Sequence, residues 1–433
     1  MESVTKKYLQ IKAPGRINLL GEHLDYNHGV VLPAAIDKYI TFDFQRSEDP
    51  TICIEALDIN ERWEFQLSAL KDLNTSTWNN YVKGVFLLMG IDQLAPALKT
   101  GLHISFSSSI PIGAGLSSSA ALCCGLAFGL NEFFDLGKSK MDLALIAQQT
   151  EHQFAGVKCG LMDQVASLFG KEQQLLAFNC FTQEIQHFSL PLKGAKLFLL
   201  DSRVKHNLAE SAYNKRRAQL EAAFEQAQQL FPTLSSWRAL STEMRAQLLP
   251  ILDVETAARL SYVLDEMQRV NEVQKLCHNL DLDIHNDYND HIEQALKNIG
   301  SLLSQTHTGL KDLYEVSCAE LDFLQSNLIE LPGIFGARMM GGGFGGKESQ
   351  MNLFCVVAAI AAKKWNCAVK LRPDRDQDMT STGKRHDFII DYDVTFNDDG
   401  LINAVDSIFS ARCGYSSDLS GPVTDRALFH ADN

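Results

Sequence analysis

No stretch of this chain approaches the roughly 20 consecutive apolar residues that a membrane-spanning helix needs. The longest apolar runs, near Ala120 and near Leu353, fall well short. The opening MESVTKKYLQIKAPG lacks the apolar core of a secretory signal. A soluble, cytoplasmic protein is expected. None of the ten cysteines forms a C-x-x-C pair, and Cys123 and Cys124 are adjacent in an apolar stretch. Neither a zinc motif nor a disulfide framework is indicated, and buried free thiols in a reducing compartment are the reading. Basic charge is scarce as well: 39 Lys and Arg face 53 Asp and Glu, a net charge of −14. Such a field repels nucleic acid and anionic membrane, so neither is expected as a partner. An anionic ligand must then be held by backbone N–H groups, a metal or a few placed cations, and a phosphate site should show as a local motif. Internal repeats and low-complexity tracts are lacking too.

What is present is an apolar share of 45% over 433 residues, enough for two or three domains with cores of their own. Short β-like runs at Ile52–Leu57 and His103–Phe106 mix with helical segments in the first 175 residues, an α+β pattern. Helices are expected over Asn74–Met89, entered at Asn74 or Thr75, and over Ser117–Phe134, directly after a Gly-rich loop. Leu208–Glu330 is strongly helical, and Leu220, Phe224, Ala227 and Leu230 form one apolar stripe. Ser317 and Glu320 have the spacing of a capping box. From Asp374 the pattern turns to strands, Asp387–Phe396 and Ile402–Phe409, with a turn at Asn397–Gly400.

Four windows carry polar residues suited to chemistry. PIGAGLSSSA, Pro111–Ala120, runs into a helix whose first turn offers N–H groups to phosphate. Its hydroxyls at Ser117, Ser118 and Ser119 can cap that helix, contact phosphate or ligate Mg²⁺. GRINLLGEHLDYN places Arg16, Glu22, His23 and Asp25 close together, a set that suits a polyhydroxylated ligand, although for the window by itself a solvated turn with incidental ion pairs is the preferred reading. Glu151 and Asp163 flank the short loop Gly156–Gly160, each free to be metal ligand, base or surface charge. DSRVKHNLAESAYNKRR holds Asp201, His206, Tyr213, Arg216 and Arg217, whose plain interpretation is an exposed, basic helix start.

Together these windows resemble the galactokinases of the GHMP small-molecule kinase family, from about Lys12 to Gly346. GRINLLGEHLDYNHGVVLPAAI is similar to the galactokinase signature, PIGAGLSSSAAL to the ATP loop, and GLMDQVASLFG, DSRVKHNLAESAYNKRR and YEVSCAELD to further landmarks. The resemblance implies a two-domain GHMP kinase fold over 1–175 and 176–346, with ATP-dependent phosphorylation of the anomeric hydroxyl of galactose. It implies that Glu22, His23, Asp25, Asp163 and Tyr213 bind the sugar. Gly113, Ala114, Gly115, Leu116, Ser117, Ser118 and Ser119 would hold the ATP phosphates, and Ser119 and Glu151 would position Mg²⁺. Asp163 would take the hydroxyl proton, with Arg16 stabilising the developing charge. A non-catalytic galactose sensor, or a kinase for N-acetylgalactosamine or arabinose, would use much the same windows. The complete Ser118, Ser119 and Ala120 loop beside Asp163 and Arg16 favours catalysis, and Glu22–Tyr26 favours galactose. A monomer with galactose and MgATP as partners is expected.

At Gly336–Gln350 the chain reads GARMMGGGFGGKESQ where the family has approximately GARMTGGGFGGC, so Met340 stands for Thr and Lys347 for Cys. From about Arg338 to Asn433 it resembles the molybdenum-binding subunit of bacterial xanthine dehydrogenase, through GGGFGGKESQ, DQDMTSTGKRHDF and CGYSSDLSGPVTDRALFHADN. The string GGGFGG is common to both families. Glu348 and Arg426 would match groups that orient a purine, but the fragment lacks the rest of that pocket. Neither a molybdenum cofactor nor hydroxylase activity is expected. The segment that normally completes the kinase's second domain is replaced by 347–433, so reduced stability and a poorly ordered α/β tail are expected.

Overall fold

In this computed structural model the described residues are 7–73, 77–94, 100–111, 114–189, 192, 195–200, 209–282, 290–341, 387–396 and 402–412, with backbone alone at 94, 209–213, 281–282 and in the last two ranges. The chain divides into two units, Met1–Leu200 with Asn207–Phe344, and Asp201–His206 with Gly345–Asn433.

The first unit opens with β1 (Tyr8–Asn18), β2 (Val30–Val31), β3 (Pro33–Ser47), β4 (Ile52–Ala56) and β5 (Glu61–Phe65), then α1 (Trp78–Leu88) and β6 (Gly101–Ser108). Five of these strands form a sheet in the order β1-β3-β6-β4-β5, in which only β4 and β6 run parallel. Alternation decides its faces: Phe42, Phe44, Ile52, Ile54, Leu102 and Ile104 are buried, and the residues between them turn to the other face. Next come α2 (Ser118–Phe134), α3 (Lys140–Thr150), α4 (Met162–Phe169), β7 (Gln174–Asn179) and β8 (Ile185–Ser189), and β2-β7-β8 make a second, antiparallel sheet. Helix α2 lies tight on the buried face because Gly125 and Gly129 have no side chain. A Cβ on them would stand 2.3 Å from the Phe42 ring and 2.1 Å from the Phe44 ring.

A helical layer follows: α5 (Ala209–Leu230), α6 (Thr242–Leu248), α7 (Val254–Leu282), α8 (Asp290–Asp312) and α9 (Ala319–Ile329). In α5 the apolar stripe is Leu220, Ala223 and Ala227, all buried, while Leu230 is exposed. The second unit is described only through the antiparallel hairpin β9 (Asp387–Phe396) and β10 (Ile402–Arg412), with a bulge between Ile402 and Ala404. Both expected strands are there, and their turn at 397–400 lies outside the described residues.

Two expected helix starts shift. Helix α1 begins at Trp78, because Thr77 takes φ 55° and cannot belong to a helix; 74–76 lie outside the described residues. The capping box at Ser317 does not form. Cys318 is the N-cap of α9 and makes no side-chain cap, while the Ser317 hydroxyl donates to Asp322 Oδ1 at 2.6 Å. Among the described residues no helix is long and apolar enough to cross a membrane.

Candidate active site

The site starts from an irregularity in β1. Pro14 brings no N–H to the ladder, and the register with β3 shifts between Pro14 and Arg16. Gly15 allows Leu116 to approach, its missing Cβ falling 2.7 Å from the Leu116 carbonyl, which accepts from the Arg16 N–H at 3.1 Å. Arg16 is thereby aimed at two partners. Its Nη1 donates to the Gly115 carbonyl at 2.6 Å, and its Nε and Nη2 fork onto Asp163 Oδ1 and Oδ2 at 2.8 and 3.0 Å. Asp163 sits in the first turn of α4, where the helix's free N–H groups favour a negative charge. Arg16 is buried and Asp163 is 26% exposed at its side chain, so the carboxylate keeps an open side.

Ser117 turns out to serve Asp163. At φ 61° it is the N-cap of α2 yet makes no side-chain cap, and its hydroxyl donates to Asp163 Oδ2 at 2.5 Å. Ser118 and Ser119 begin the helix, with first-turn N–H groups that have no partner within it. The Ser119 hydroxyl donates to Glu151 Oε2 at 3.1 Å, and Gln164 Nε2 donates to Glu151 Oε1 at 2.9 Å. Glu151 opens a π-helical turn that continues α3, and burial, then the nearby Asp163, raises its carboxyl to about 7. Two adjacent hard oxygens, one on a carboxylate that burial leaves short of positive charge, fit a divalent cation such as Mg²⁺. Of the phosphate loop, 114–119 are brought to this place, and Gly113 lies outside the described residues.

The loop after β1 supplies the other wall. Gly21 and His23 take φ 97° and 63°, folding Glu22, His23 and Asp25 into one turn. Glu22 is 2% exposed. Arg338 Nη2 donates to its Oε1 at 3.1 Å, and so does the Gly341 N–H at 3.2 Å. Burial alone would push the Glu22 carboxyl up, but Arg338, then Arg16 and His23, hold it below its ordinary value. Arg338 also donates to the carbonyls of Asn18, Leu19 and Met339. His23 Nδ1 shares a 2.7 Å hydrogen bond with the Tyr26 hydroxyl, which meets that of Tyr314 at 2.9 Å.

Asp25 packs on the Gly156–Gly160 loop, where a Cβ at Gly160 would lie 2.0 Å from its Oδ2. Burial first, then Asp163 and Glu22, push its carboxyl up to about 7, with Arg217 a smaller opposing influence. A carboxyl raised in the fold stays protonated there between about pH 4 and 7, when the unfolded chain has already released its proton. The contribution of Asp25 to unliganded stability therefore falls as pH rises through that window. Asp25→Asn is expected to flatten this fall, by up to about 1.4 kcal/mol per pH unit for one proton, in urea titrations across the same pH range.

One residue strains the arrangement. The buried Asn18 gives its backbone N–H to the Met340 sulfur at 3.3 Å, and neither Nδ2 nor Oδ1 of its amide has a partner. A thioether is a weak acceptor. Met340→Thr is expected to stabilise the protein by about 1 kcal/mol, seen as a higher thermal midpoint.

Most residues picked out from sequence thus converge: Arg16, Asp163, Ser117, Ser119, Glu151, Glu22, His23 and Asp25. The side chain of Tyr213, in α5, lies outside the described residues, as do Asp201 and His206. Arg216 is not an exposed solubilising residue. It donates to Glu255 at 2.7 Å and to the Tyr314 carbonyl at 3.2 Å. Arg338, Tyr314 and Gln164 were not singled out as site residues by sequence, although Arg338, a lone cation just before a glycine run, was a usable signal.

The Galactokinase galactose-binding signature matches residues 4–46, the GHMP kinases N terminal domain 80–171, and the Molybdopterin cofactor-binding domain 335–433. A galactokinase of Thermosipho africanus is 40% identical over 339 residues, 78% of this chain and 87% of its own. One from Thermotoga maritima is 38% identical over 344 residues, with the same coverage. The crystal structure of Lactococcus lactis galactokinase complexed with galactose superimposes with a TM-score of 0.66 at 28% identity, covering 84% of this chain and 92% of that one. Methanococcus jannaschii mevalonate kinase, at 17% identity and a TM-score of 0.53, shares the fold, covering 82% of this chain and 95% of that one. With its signature, its kinase domain and a relative 40% identical over 87% of that relative's length, this chain belongs to the galactokinase family.

Proposed function

We propose that this kinase moves the γ-phosphoryl group of ATP to the anomeric hydroxyl of galactose, on the surface between Arg16, Asp163 and the tip of α2. Glu22, His23, Asp25 and Tyr213 hold the sugar, with Glu22 kept ionised by Arg338 to accept from sugar hydroxyls. The loop 113–119 takes the phosphates on its N–H groups. Ser119 and Glu151 hold Mg²⁺, which when bound supplies positive charge to the phosphate oxygens. The anomeric oxygen forms its bond to the γ-phosphorus as the bond to the ADP oxygen breaks, and its proton passes to Asp163. In a loose phosphoryl-transfer transition state that proton leaves late, so positioning of its acceptor counts for more than the acceptor's strength as a base. Arg16, fixed at the Gly115 carbonyl, is placed to offset the developing negative charge.

The observation that carries this reading is the single guanidinium bridging the proposed base and the phosphate loop. Segments 1–175 and 176–346 form the kinase, a monomer in this reading, with 347–433 appended. Within the stretch that matches the Molybdopterin cofactor-binding domain, Arg338 and Gly341 are committed to Glu22, while Glu348 and Arg426 lie outside the described residues. That commitment does not fit a cofactor cradle, and no step runs through a molybdopterin. The test is ADP release with MgATP and each of galactose, N-acetylgalactosamine and arabinose. Release with galactose alone supports the reading, while galactose binding without ADP release identifies a sugar sensor.

A further inference from the structure

Away from this site, the outward face of the five-stranded sheet holds three ligand-type side chains in one place. In β4, Ile52, Ile54 and Ala56 turn into the core, which sends Cys53 and Glu55 to the opposite face. On the neighbouring β6, His103 stands directly opposite Cys53 in the parallel register. One donor atom from each of Cys53, Glu55 and His103 lies within 4.8 Å of the other two. We propose that these residues form a binding site for a zinc-class divalent cation.

Three features support it. First, His103 Nε2 and Glu55 Oε2 are 3.3 Å apart. Two ligands at about 2.0–2.2 Å from a tetrahedral zinc ion are separated by about 3.3–3.5 Å, so this pair already spans one edge. Second, the donors are a thiol, an imidazole and a carboxylate, a set that selects zinc-like cations over Mg²⁺ or Ca²⁺. Third, the cluster opens into a cleft of about 400 Å³, also lined by Gln45, Asp49, Thr51 and Glu64, which leaves room for the cation and a water in the fourth position. Glu64 is the register partner of Cys53 on β5 and can replace that water.

A competing occupant is Arg62, which donates to Glu55 at 3.1 Å and pairs with Glu64. Its side chain is 59% exposed, and ion pairs this open are worth little, so it swings aside easily. Binding converts the Cys53 thiol to thiolate and releases one proton to solvent for each cation taken up. No sequence motif announced the site, because its third ligand, His103, comes from another strand and meets Cys53 and Glu55 of β4 only through sheet register.

The test is titration of the full-length reduced protein with Co²⁺ in excess Mg²⁺. One equivalent is expected to bind with tetrahedral d–d absorption and a thiolate-to-cobalt charge-transfer band. That band should vanish in Cys53→Ser, and affinity should fall at least about tenfold in His103→Ala, whose imidazole is partly exposed and outside the core. A band that persists in folded Cys53→Ser, affinity unchanged in His103→Ala, or no band in the wild-type protein overturns the proposal.

Discussion

Asp163→Asn is expected to lower kcat by about 10²- to 10⁴-fold, with the protein still folded and galactose still bound. The amide keeps the size of the carboxylate and one of its oxygens. It therefore still accepts one hydrogen bond from Arg16, whose Nε and Nη2 now reach both carboxylate oxygens at 2.8 and 3.0 Å. What it loses is the ability to take the hydroxyl proton and its charge in the ion pair with the buried Arg16. Galactose KM should move far less than kcat, because Glu22, Asp25 and His23 hold the sugar in the proposed complex. Steady-state ADP release gives both constants, and circular dichroism checks the fold. An Asn variant with near-normal turnover would remove Asp163 from the chemistry. It would leave Arg16 and the metal as the agents of transfer.

Arg338→Met is expected to cost about 3–5 kcal/mol of stability and to raise galactose KM. The pair it breaks is almost dry, with side-chain exposures of 6% for Arg338 and 3% for Glu22. Removing one member leaves a buried carboxylate with the Gly341 N–H and the more distant Arg16. It also frees the carbonyls of Asn18 and Leu19. Part of this loss reflects an unpaired charge, so adding Glu22→Gln should recover stability. It should not recover KM, because the sugar loses an ionised acceptor. That split between stability and KM distinguishes a residue that positions the sugar loop from one that merely packs. Urea unfolding of the two single variants and the double variant, beside galactose saturation curves, measures both halves.

Glu22 is held by Arg338 and Gly341, both ahead of Lys347, which stands where the family pattern has Cys. Met340 is a departure from the family pattern that sits inside this clamp and gives Asn18 only a sulfur.

Legibility in the sequence followed the range of the interactions. The strand alternation around Ile52 and Ile104, and the Gly-rich entry into α2, are local patterns and read directly. Membership of the site came from the order of the windows and their resemblance to a family, since Arg16, Ser117, Glu151 and Asp163 taken singly left a solvated turn, a plain cap or surface charge open. Their partners were not legible. Ser117 looked like a cap or a phosphate ligand, and only the approach of α4 turns its hydroxyl to Asp163. Arg216 looked solvated until α7 brought Glu255 to it. Arg338 lies 316 residues from Glu22, and no spacing rule reaches that far. The capping box at Ser317 failed on a matter of one residue, since the helix takes Cys318 as its N-cap and leaves Ser317 outside it, donating its hydroxyl to Asp322.

The most direct measurement is a crystal structure of the full chain with galactose, Mg²⁺ and a non-hydrolysable ATP analogue. The expected result is an anomeric oxygen about 2.6–3.2 Å from an Asp163 oxygen, with the γ-phosphate between Arg16 and the N–H groups of Ser118 and Ser119. A sugar bound with its anomeric oxygen away from Asp163, or phosphates seated elsewhere than the tip of α2, would contradict it.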